Sequence, residues 1–527
     1  MKLSRLKLSW LFLILSLLIG GYIRLSPVLS VDFPINDGGM FFTMTRELQE
    51  NNFRIPLITS YNGLDIPFAY PPLGFYLAGA IELLSGWSLL DIFRILPAVI
   101  SILCIPIFYL LAGMFIKDDL QLSLSVLIYS LIPSSFDWLI MGGGITRSLG
   151  FLFFLLTLLF LYLTYTQYKN SYLLFTSVFA SMTILTHPEH ALHAAVSGLV
   201  IFLFVGRSKK GIANTVVISL LALLFSAPWW SIVLKTNGIT PFLNAANTGN
   251  YNFQAIINFI TFNLSHEIGL RSIGFMSLVG ALILISRKQY FLPTWIGAIY
   301  ISEPRSAPLF LVPAFAICSS LALVEILKIL STSYSQKNSK TIPKNESGLT
   351  LFHRLAKITI GILVVQWLIS SYSIAMVEAT TTTLRKEERD AFAWVSNNTL
   401  PGSTFIILTG DQPFTDPTSE WFPALTNRIS INTVQGNEWN SSVNFYDFFA
   451  LSKEVQSCYY LDIKCLEHWS VENGISFDYI YIRNLITVSN KPEMIGIGII
   501  SNLLYSGSYE PVYVSTDVAI FQVLKGN

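Results

Sequence analysis

An acidic residue ahead of two glycines is the first candidate for chemistry in this sequence. Asp37 is followed by Gly38 and Gly39 and by an apolar stretch that predicts a helix up to residue 50. Its carboxylate is expected near a helix start at a membrane surface, where it can accept a proton or bind a metal ion. A purely structural alternative is that Asn36 or Asp37 caps this helix, which is a common use of these residue types.

A second candidate is a cluster of histidines. His187, Glu189, His190 and His193 stand close together, although the chain has only 6 histidines. His190 and His193 are three positions apart and share one face of a predicted helix. Histidine and glutamate can relay a proton or bind a divalent cation. His187 and Glu189 are therefore candidate catalytic residues and His190 a candidate ligand of substrate or metal, with polar capping around Pro188 as the structural alternative.

Two arginines stand where an anionic group can bind. Arg147 follows a glycine run at 142–144 near a predicted helix start, where backbone N–H groups and a guanidinium can bind phosphate together. Arg305 follows Glu303 in the break between two apolar segments. The structural alternatives are a snorkelling Arg147 beside a tight turn and an ion pair between Arg305 and Glu303.

These candidates belong to a chain that is too apolar for a soluble enzyme. Of its 527 residues, 52% are hydrophobic and only 12% are charged, against roughly 25% charged in a soluble domain. The net charge of +1 gives no field for a nucleic acid partner, and we expect none. Basic residues are in excess over 1–377 and acidic residues over 378–527, so the chain has two parts of different character.

The first part, 1–377, is predicted to be an α-helical polytopic membrane domain. Apolar runs of about 16–22 residues alternate with short polar breaks, as in membrane-spanning helices. The runs predict about eleven spans, near 9–29, 95–116, 120–140, 149–166, 171–186, 190–206, 212–232, 270–286, 290–302, 307–328 and 356–377.

Basic residues in the breaks predict the orientation, because Lys and Arg are retained on the cytoplasmic side. They are Lys2, Arg5 and Lys7, then Lys117, Lys169, Arg207, Lys209, Lys210, Arg287 and Lys288, and finally the stretch 328–357 with Lys337, Lys340, Lys344 and Arg354. An odd number of spans places the N-terminus in the cytoplasm and the C-terminal part outside. The apolar run 71–86 in the first outer loop, 31–94, is expected to lie in the outer interface rather than to span.

The second part, 378–527, is predicted to be an extracytoplasmic mixed α/β domain. A helical segment at 384–399 precedes β-like runs at 403–410, 477–482 and 511–524, a pattern of small α/β or α+β domains. Outside the cell, Cys458 and Cys465 can pair as a disulfide across a short loop, although their spacing alone does not determine the geometry.

The first outer loop combines features that occur together in one enzyme family. Asp37 has an aromatic residue four positions on, Phe41, and the loop continues to Tyr70-Pro71-Pro72, an apolar interfacial helix and Arg94 at the head of the next span. This arrangement resembles the GT-C superfamily of integral-membrane glycosyltransferases, which includes protein O-mannosyltransferases, the lipid A aminoarabinose transferase and oligosaccharyltransferase catalytic subunits. The resemblance implies a GT-C fold, a role for Asp37 as catalytic base or metal ligand, and substrate-binding roles for Tyr70 and Arg94.

Two features depart from the members of that superfamily. Gly38 follows Asp37 where protein O-mannosyltransferases have an Asp-Glu pair, so a second carboxylate comes from elsewhere in the chain or is absent. The WWDYG motif of oligosaccharyltransferases is missing, which argues against a sequon asparagine as the acceptor.

The resemblance implies a transferase of the cell envelope that moves a hexosyl or pentosyl group from a polyprenyl-phosphate-linked donor. The acceptor would be a glycan, a lipid or a protein on the outer face, and the anomeric centre would be inverted. Asp37 would act as base, with Mg²⁺ or Mn²⁺ as an optional cofactor, and Arg305 or Arg147 would stabilise the leaving lipid phosphate. Consistent with a lipid-linked donor, the sequence has no GxxxxGK[ST] and no GxGxxG after a predicted strand.

Two further hypotheses compete with the transferase. A transporter or flippase for a lipid-linked or anionic solute would use the same arginines and histidines as a binding path. A non-catalytic scaffold would only present the C-terminal domain and would need none of the polar clusters.

Overall fold

The chain folds into a bundle of apolar helices followed by a mixed β-sheet. The computed structural model describes residues 8–247, 253–335, 346–440, 444–483, 486–488, 491–493 and 497–524. Its helices are α1 (Leu8–Ser30), α2 (Gly39–Glu50), α3 (Leu73–Ser85), α4 (Leu89–Phe115), α5 (Asp119–Leu131), α6 (Gly144–Gln167), α7 (Asn170–Ile184), α8 (Pro188–Ile201), α9 (Lys209–Asn237), α10 (Thr240–Asn247), α11 (Phe253–Ile260), α12 (Ser272–Ser286), α13 (Phe291–Ser302), α14 (Ala307–Ser335), α15 (Glu346–Thr382), α16 (Lys386–Asn398), α17 (Pro417–Thr426), α18 (Phe445–Ser457), α19 (Ile463–Asn473) and α20 (Ile497–Tyr505). Its strands are β1 (Ile58–Thr59), β2 (Ile66–Pro67), β3 (Thr404–Leu408), β4 (Ile429–Ser430), β5 (Tyr479–Arg483), β6 (Ile486–Val488), β7 (Lys491–Glu493), β8 (Tyr509–Val514) and β9 (Val518–Val523).

Each of the eleven predicted spans overlaps one of these helices. Within the described residues, 7 helices are long and apolar enough to cross a membrane: α1, α4, α6, α8 with the turn that follows it, α9, α14 and α15. The number of spans stays a prediction. The helix expected over 120–140 ends earlier, at Leu131, because Pro133 opens a short 3₁₀ turn and Pro restricts the residue before it.

The predicted interfacial segment forms α3, which has 13 residues, fewer than the roughly 20 that a span needs. The predicted boundary at 377/378 falls inside α15, which continues to Thr382. The division into two domains stays a prediction. Six of the basic residues used for the orientation lie outside the described residues: Lys2, Arg5, Lys7, Lys337, Lys340 and Lys344.

A buried arginine ties the first helix to the loop that precedes the glycine run. Arg24 of α1 is fully buried and donates to the Ser101 hydroxyl of α4 at 3.1 Å, the Ser130 carbonyl at 3.1 Å and the Ser135 hydroxyl at 2.7 Å. A buried cation needs such partners, since an unpaired one is costly in an apolar interior. These bonds fix the segment that leads from α5 to α6.

The C-terminal part contains the predicted mixed α/β fold. Its five-stranded sheet has the order β4-β3-β5-β9-β8, with β3 parallel to β4 and β5 and with β9 antiparallel to its two neighbours. Helix α16 and strands β3, β5, β8 and β9 lie at the predicted segments. Cys458 and Cys465 form a disulfide, with Cα atoms 5.4 Å apart.

The C-terminal part packs directly on the first outer loop. The Trp421 ring of α17 meets Phe33 edge-on, with centroids 4.7 Å apart, and the Asn62 amide donates to the Ser430 carbonyl at 2.8 Å. Arg389 of α16 forms an ion pair with Asp32 at 2.6 Å. This docking brings α17 against the residues around Asp37.

Candidate active site

Asp37 is held by a guanidinium from α6. Arg147 donates from Nη1 to Asp37 Oδ2 at 2.7 Å and from Nη2 to Oδ1 at 2.8 Å, while the Gly143 N–H donates to Oδ1 at 3.0 Å. The side chains of Asp37 and Arg147 are only 16% and 15% exposed. Two parallel bonds of this kind define orientation as well as charge. The pair is therefore an ordered, largely buried unit.

The backbone conformation around Asp37 places its carboxylate next to Arg147. Asn36 and Gly38, on either side of it, have positive φ values of 54° and 126°. A side chain at Gly143 would displace the carboxylate, because a Cβ atom there would lie 2.6 Å from Asp37 Oδ2. Helix α2 is capped by Gly38 without a side-chain bond, so the Asp37 carboxylate serves the ion pair and not the helix end.

The C-terminal part contributes a second carboxyl next to Asp37. Glu420 of α17 accepts a hydrogen bond from the Gly38 N–H at 2.8 Å, and the neighbouring Trp421 indole donates to the Asn36 carbonyl at 2.8 Å. Burial, together with the negative charge of Asp37, raises the pKa of Glu420 to about 8. At neutral pH this carboxyl is therefore mostly protonated.

A group of rings extends from Asp37 toward α8. The Tyr70 hydroxyl lies 3.4 Å from the Thr146 hydroxyl, and the Tyr70 ring lies 5.9 Å from that of His187, which is 4.6 Å from that of His190. Burial, with the charges of Arg147 and Arg305, lowers the pKa of His187 to about 3. His187 is thus in its neutral form at physiological pH.

The ring nitrogens of this group have unmet hydrogen-bonding capacity. Within the described structure, no partner bonds Nδ1 of His187 or either ring nitrogen of His190. Around His190 stand Phe151 and Phe310, at 6.3 and 4.9 Å between centroids. A buried polar atom without a partner points to a ligand or a water molecule.

A second ion pair lies at the end of this group. Glu189 accepts a hydrogen bond from the Arg305 guanidinium, and the backbone N–H of Arg305 donates to the Glu303 carboxylate at 3.1 Å. This pair is open to its surroundings, with side chains 49% exposed for Arg305 and 28% for Glu189. Glu438 lies in a 3₁₀ turn of the C-terminal part. Burial raises its pKa to about 7, although the charge of Arg305 acts to lower it.

A cleft of about 460 Å³ adjoins the Asp37 loop. It is lined by Asn36, Asp137, Trp138, Met141, Glu378, Thr381, Thr382, Gly410, Asp411, Gln412 and Thr415. Arg147 lies over the Trp138 ring, with its central carbon 5.3 Å from the centroid, and donates from Nε to the Trp138 carbonyl at 3.0 Å. The cleft thus reaches the residues next to Asp37 and beneath Arg147.

A divalent cation does not fit Asp37 and His190 as they are arranged. Both oxygens of Asp37 accept hydrogen bonds from a guanidinium, which leaves its charge already neutralised. The described residues contain no group of three or more His, Cys, Asp or Glu side chains that could hold a metal ion. The predicted metal roles of these two residues therefore lack a matching donor set.

Most of the predicted site residues converge, and one does not. The rings of Tyr70, His187 and His190 follow one another, and the Tyr70 hydroxyl contacts Thr146, the neighbour of Arg147 in the Asp37–Arg147 pair. The Glu189–Arg305 pair adjoins this group. Arg94 makes its contacts elsewhere: it donates to the Val31 carbonyl at 2.6 Å and to Asp91 at 2.7 Å.

Several solved structures share this architecture. The archaeal oligosaccharyltransferase AglB from Archaeoglobus fulgidus, in complex with an inhibitory peptide and a dolichol-phosphate, aligns with a TM-score of 0.51 and 15% identity over 90% of this chain and 69% of that one. ArnT from Cupriavidus metallidurans, bound to undecaprenyl phosphate, aligns with 0.55 and 13% over 97% of both chains. The arabinofuranosyltransferase AftD from Mycobacteria aligns with 0.56 and 13% over 99% of this chain but 40% of the other. The chain has the GT-C fold.

The GT-C resemblance predicted from the first outer loop is therefore confirmed at the level of the fold. No family model matches the chain, and no curated protein matches its sequence. At 13–15% identity the structural similarity shows the fold only. The chemistry has to be argued from the residues of the site.

Sequence reasoning missed two carboxyls of this site, Glu420 and Glu438. Both stand directly before a tryptophan, in the pairs Glu420-Trp421 and Glu438-Trp439. The segment is rich in aromatic residues and amides, which suit carbohydrate but more often form a core. Two Glu-Trp pairs in one such segment were the available signal.

Proposed function

We propose that the chain is a membrane glycosyltransferase that moves a sugar from a polyprenyl-phosphate-linked donor to an acceptor on the outer face. The observation that carries this proposal is the bidentate Asp37–Arg147 pair on a GT-C fold, close to a second arginine. Lipid phosphates occur in two of the similar structures, dolichol-phosphate with AglB and undecaprenyl phosphate with ArnT. Guanidinium groups are suited to bind such a phosphate.

In the proposed reaction Asp37 accepts the proton of the acceptor hydroxyl. The acceptor oxygen forms a bond to the anomeric carbon, the bond from that carbon to the phosphate oxygen breaks, and the electron pair leaves with the polyprenyl phosphate. Attack opposite the leaving group inverts the anomeric centre. The cleft beside Asn36 and Trp138 offers room for an acceptor next to Asp37.

Arg305 is the arginine best placed to receive the lipid phosphate. It is half-exposed, and its pairing with Glu189 is a single hydrogen bond that a phosphate dianion can replace. The unpartnered nitrogens of His187 and His190 supply donors for phosphate or sugar oxygens. Without a donor bound, the Glu189 carboxylate then pairs with Arg305 in place of the phosphate.

The proposed orientation has the N-terminus in the cytoplasm and the C-terminal domain outside. It follows from the basic residues in the loops. The Cys458–Cys465 disulfide agrees with this side, since disulfides persist in oxidising compartments.

The test is sugar transfer from a panel of radiolabelled polyprenyl-phosphate monosaccharides to membrane acceptors, with equal amounts of folded protein. Asp37→Asn keeps the shape of the side chain and removes the base, so transfer should fall by about 10²–10⁴-fold. Asp65→Asn is the matched control, because Asp65 is an exposed acid of the same loop.

Full activity in Asp37→Asn would move the base to another residue. If wild type transfers no sugar from any donor but exchanges fluorescent polyprenyl phosphate between leaflets, the flippase hypothesis replaces the transferase.

A further inference from the structure

Helix α15 lies along two neighbouring cavities. The first is an apolar groove of about 530 Å³, which follows the helix from Ile358 to Ser373 and is called the α15 groove below. The second is the cleft beside the Asp37 loop, which α15 lines at Glu378 and Thr382. Ser373 and Glu378 are separated by about 7 Å along the helix axis, at 1.5 Å per residue. The groove therefore ends close to the cleft.

The α15 groove is apolar and faces the bilayer. Ile362, Val365 and Ile369 of α15 line it together with Ile268, and these side chains are 53–61% exposed. The part of α15 from 358 to 382 is long and apolar enough to cross a membrane. The stretch from 358 to 373 rises about 22 Å, more than the roughly 15 Å of hydrocarbon in one leaflet. The groove is therefore long enough for a lipid tail.

A short segment before α12 borders both cavities. The Ile268 side chain lines the groove, and its backbone N–H donates to the Ser370 hydroxyl at 2.8 Å. Two residues earlier, Nδ1 of His266 is hydrogen-bonded to Asp137 Oδ2 at 2.5 Å, and Asp137 lines the cleft. The groove and the cleft are thus held next to each other by the same backbone.

The charges of the cleft restrict what it can bind. Of the described residues that line it, three are charged, and all three are acidic: Asp137, Glu378 and Asp411. Asp411 is paired with Arg483 and Asp137 with His266, and neither of these bases lines the cleft. A phosphate group would therefore meet carboxylates without a free cation, which is unfavourable. Sugar hydroxyls, by contrast, can donate hydrogen bonds to carboxylates.

We propose that the acceptor is a neutral glycolipid, with its tail in the α15 groove and its sugar head in the cleft next to Asp37. This rests on the proposed function, in which Asp37 is the base and the cleft receives the acceptor. A hydroxyl of the head forms the new bond to the anomeric carbon of the donor sugar, its proton passes to Asp37, and the polyprenyl phosphate leaves with the electron pair. The donor's own polyprenyl chain fits the groove less well, because its phosphate would then lie at the acidic cleft and not at Arg305.

The first experiment requires no sugar transfer. Wild type in liposomes is irradiated with a monohexosyl diacylglycerol that carries a diazirine in one acyl chain, and labelled peptides are identified by mass spectrometry. Labels on residues 358–373 and on Ile268 should exceed several times those from phosphatidylglycerol with the same chain. Excess unlabelled hexosyl lipid should remove them, and excess polyprenyl phosphate should not. Equal labelling by the two lipids, or displacement by polyprenyl phosphate, would overturn the proposal.

The second experiment fills the groove. Gly361 lines it, and no atom lies within 4 Å of the position that its Cβ atom would take. The ring in Gly361→Trp would occupy the place of the tail, so the rate of transfer to hexosyl diacylglycerol, relative to tail-less methyl hexoside, should fall about tenfold. Gly297→Trp in α13 is the matched control, because its Cβ position is equally free. The same ratio of rates in both variants would contradict a role of the groove.

The third experiment changes the charge of the cleft. Glu378→Lys places a cation where the head group binds, so the preference for hexosyl diacylglycerol over phosphatidylglycerol as acceptor should fall about tenfold. An unchanged preference would argue against head-group binding in this cleft. If wild type transfers no sugar from any donor, the proposed function fails, and the labelling experiment alone decides whether the groove binds a neutral glycolipid. The two failures are thus separable.

Discussion

The two arginine–carboxylate pairs of the site differ in almost every physical respect. The side chains of Arg147 and Asp37 are about 15% exposed, and their bidentate pair is supported by the Gly143 N–H, whereas Arg305 is 49% exposed and joins Glu189 by one hydrogen bond. A buried ion pair is costly to break, while an exposed pair contributes little. The first pair is therefore suited to hold a reacting group in place, and the second to open for a ligand.

Loss of one partner from each pair should separate them most clearly. Arg147→Met leaves Asp37 as a buried charge without its counter-ion and should destabilise the protein by about 3–5 kcal/mol. Arg305→Met should cost less than about 1 kcal/mol. Thermal unfolding of both variants in the same detergent measures the difference. Equal losses of stability in the two variants would mean that the buried and the exposed ion pair do not differ in their contribution to stability.

Crowding of the buried pair should reduce transfer without removing a charge. A Cβ atom on Gly143 would lie 2.6 Å from Asp37 Oδ2, so Gly143→Ala should push the carboxylate from its place and lower transfer about 10²-fold. Gly297→Ala is the matched control. Gly297 lies in another helix, α13, and no atom lies within 4 Å of the position that its Cβ atom would take. Sugar transfer by the two variants in liposomes makes the comparison, and a normal rate in Gly143→Ala would argue against a fixed Asp37.

The helices could be predicted from the sequence, whereas the pairings within the site could not. Apolar runs give a strong signal, because a bilayer demands about 20 residues per span. Arg147 and Asp37 were both identified as candidates, but they are 110 positions apart, and no spacing rule links residues at that distance. The same holds for Arg305 and Glu189, 116 positions apart.

Glu420 shows why part of the site remained hidden. It is 382 positions from Gly38 and lies in a segment whose tryptophans predict a core at least as well as a binding site. Its place beside Asp37 depends on burial against the first outer loop, a property of the docked C-terminal part and not of any local motif. The early end of α5, by contrast, had a visible signal in Pro133.

The exposed pair should act on donor binding rather than on the chemical step. Arg305→Ala would remove the charge-assisted contact that we propose for the lipid phosphate, so KM for the donor should rise about tenfold while kcat changes little. Initial rates over a donor series test this. A fall in kcat with unchanged KM would instead give Arg305 a role like that of the buried pair.

The smallest effect is expected from the carboxyl that faces the exposed pair. Burial raises the pKa of Glu438 to about 7, so its contribution to stability is present at low pH and is lost as pH rises through that value. Glu438→Gln should remove this loss of stability. Its melting temperature should therefore decrease by roughly 1–3 °C less than that of wild type between pH 6 and 8. Because the charge of Arg305 lowers the pKa of Glu438, Arg305→Met should move the step of the protein that retains Glu438 to higher pH. A step that stays at the same pH in Arg305→Met would show that Glu438 titrates independently of the exposed pair.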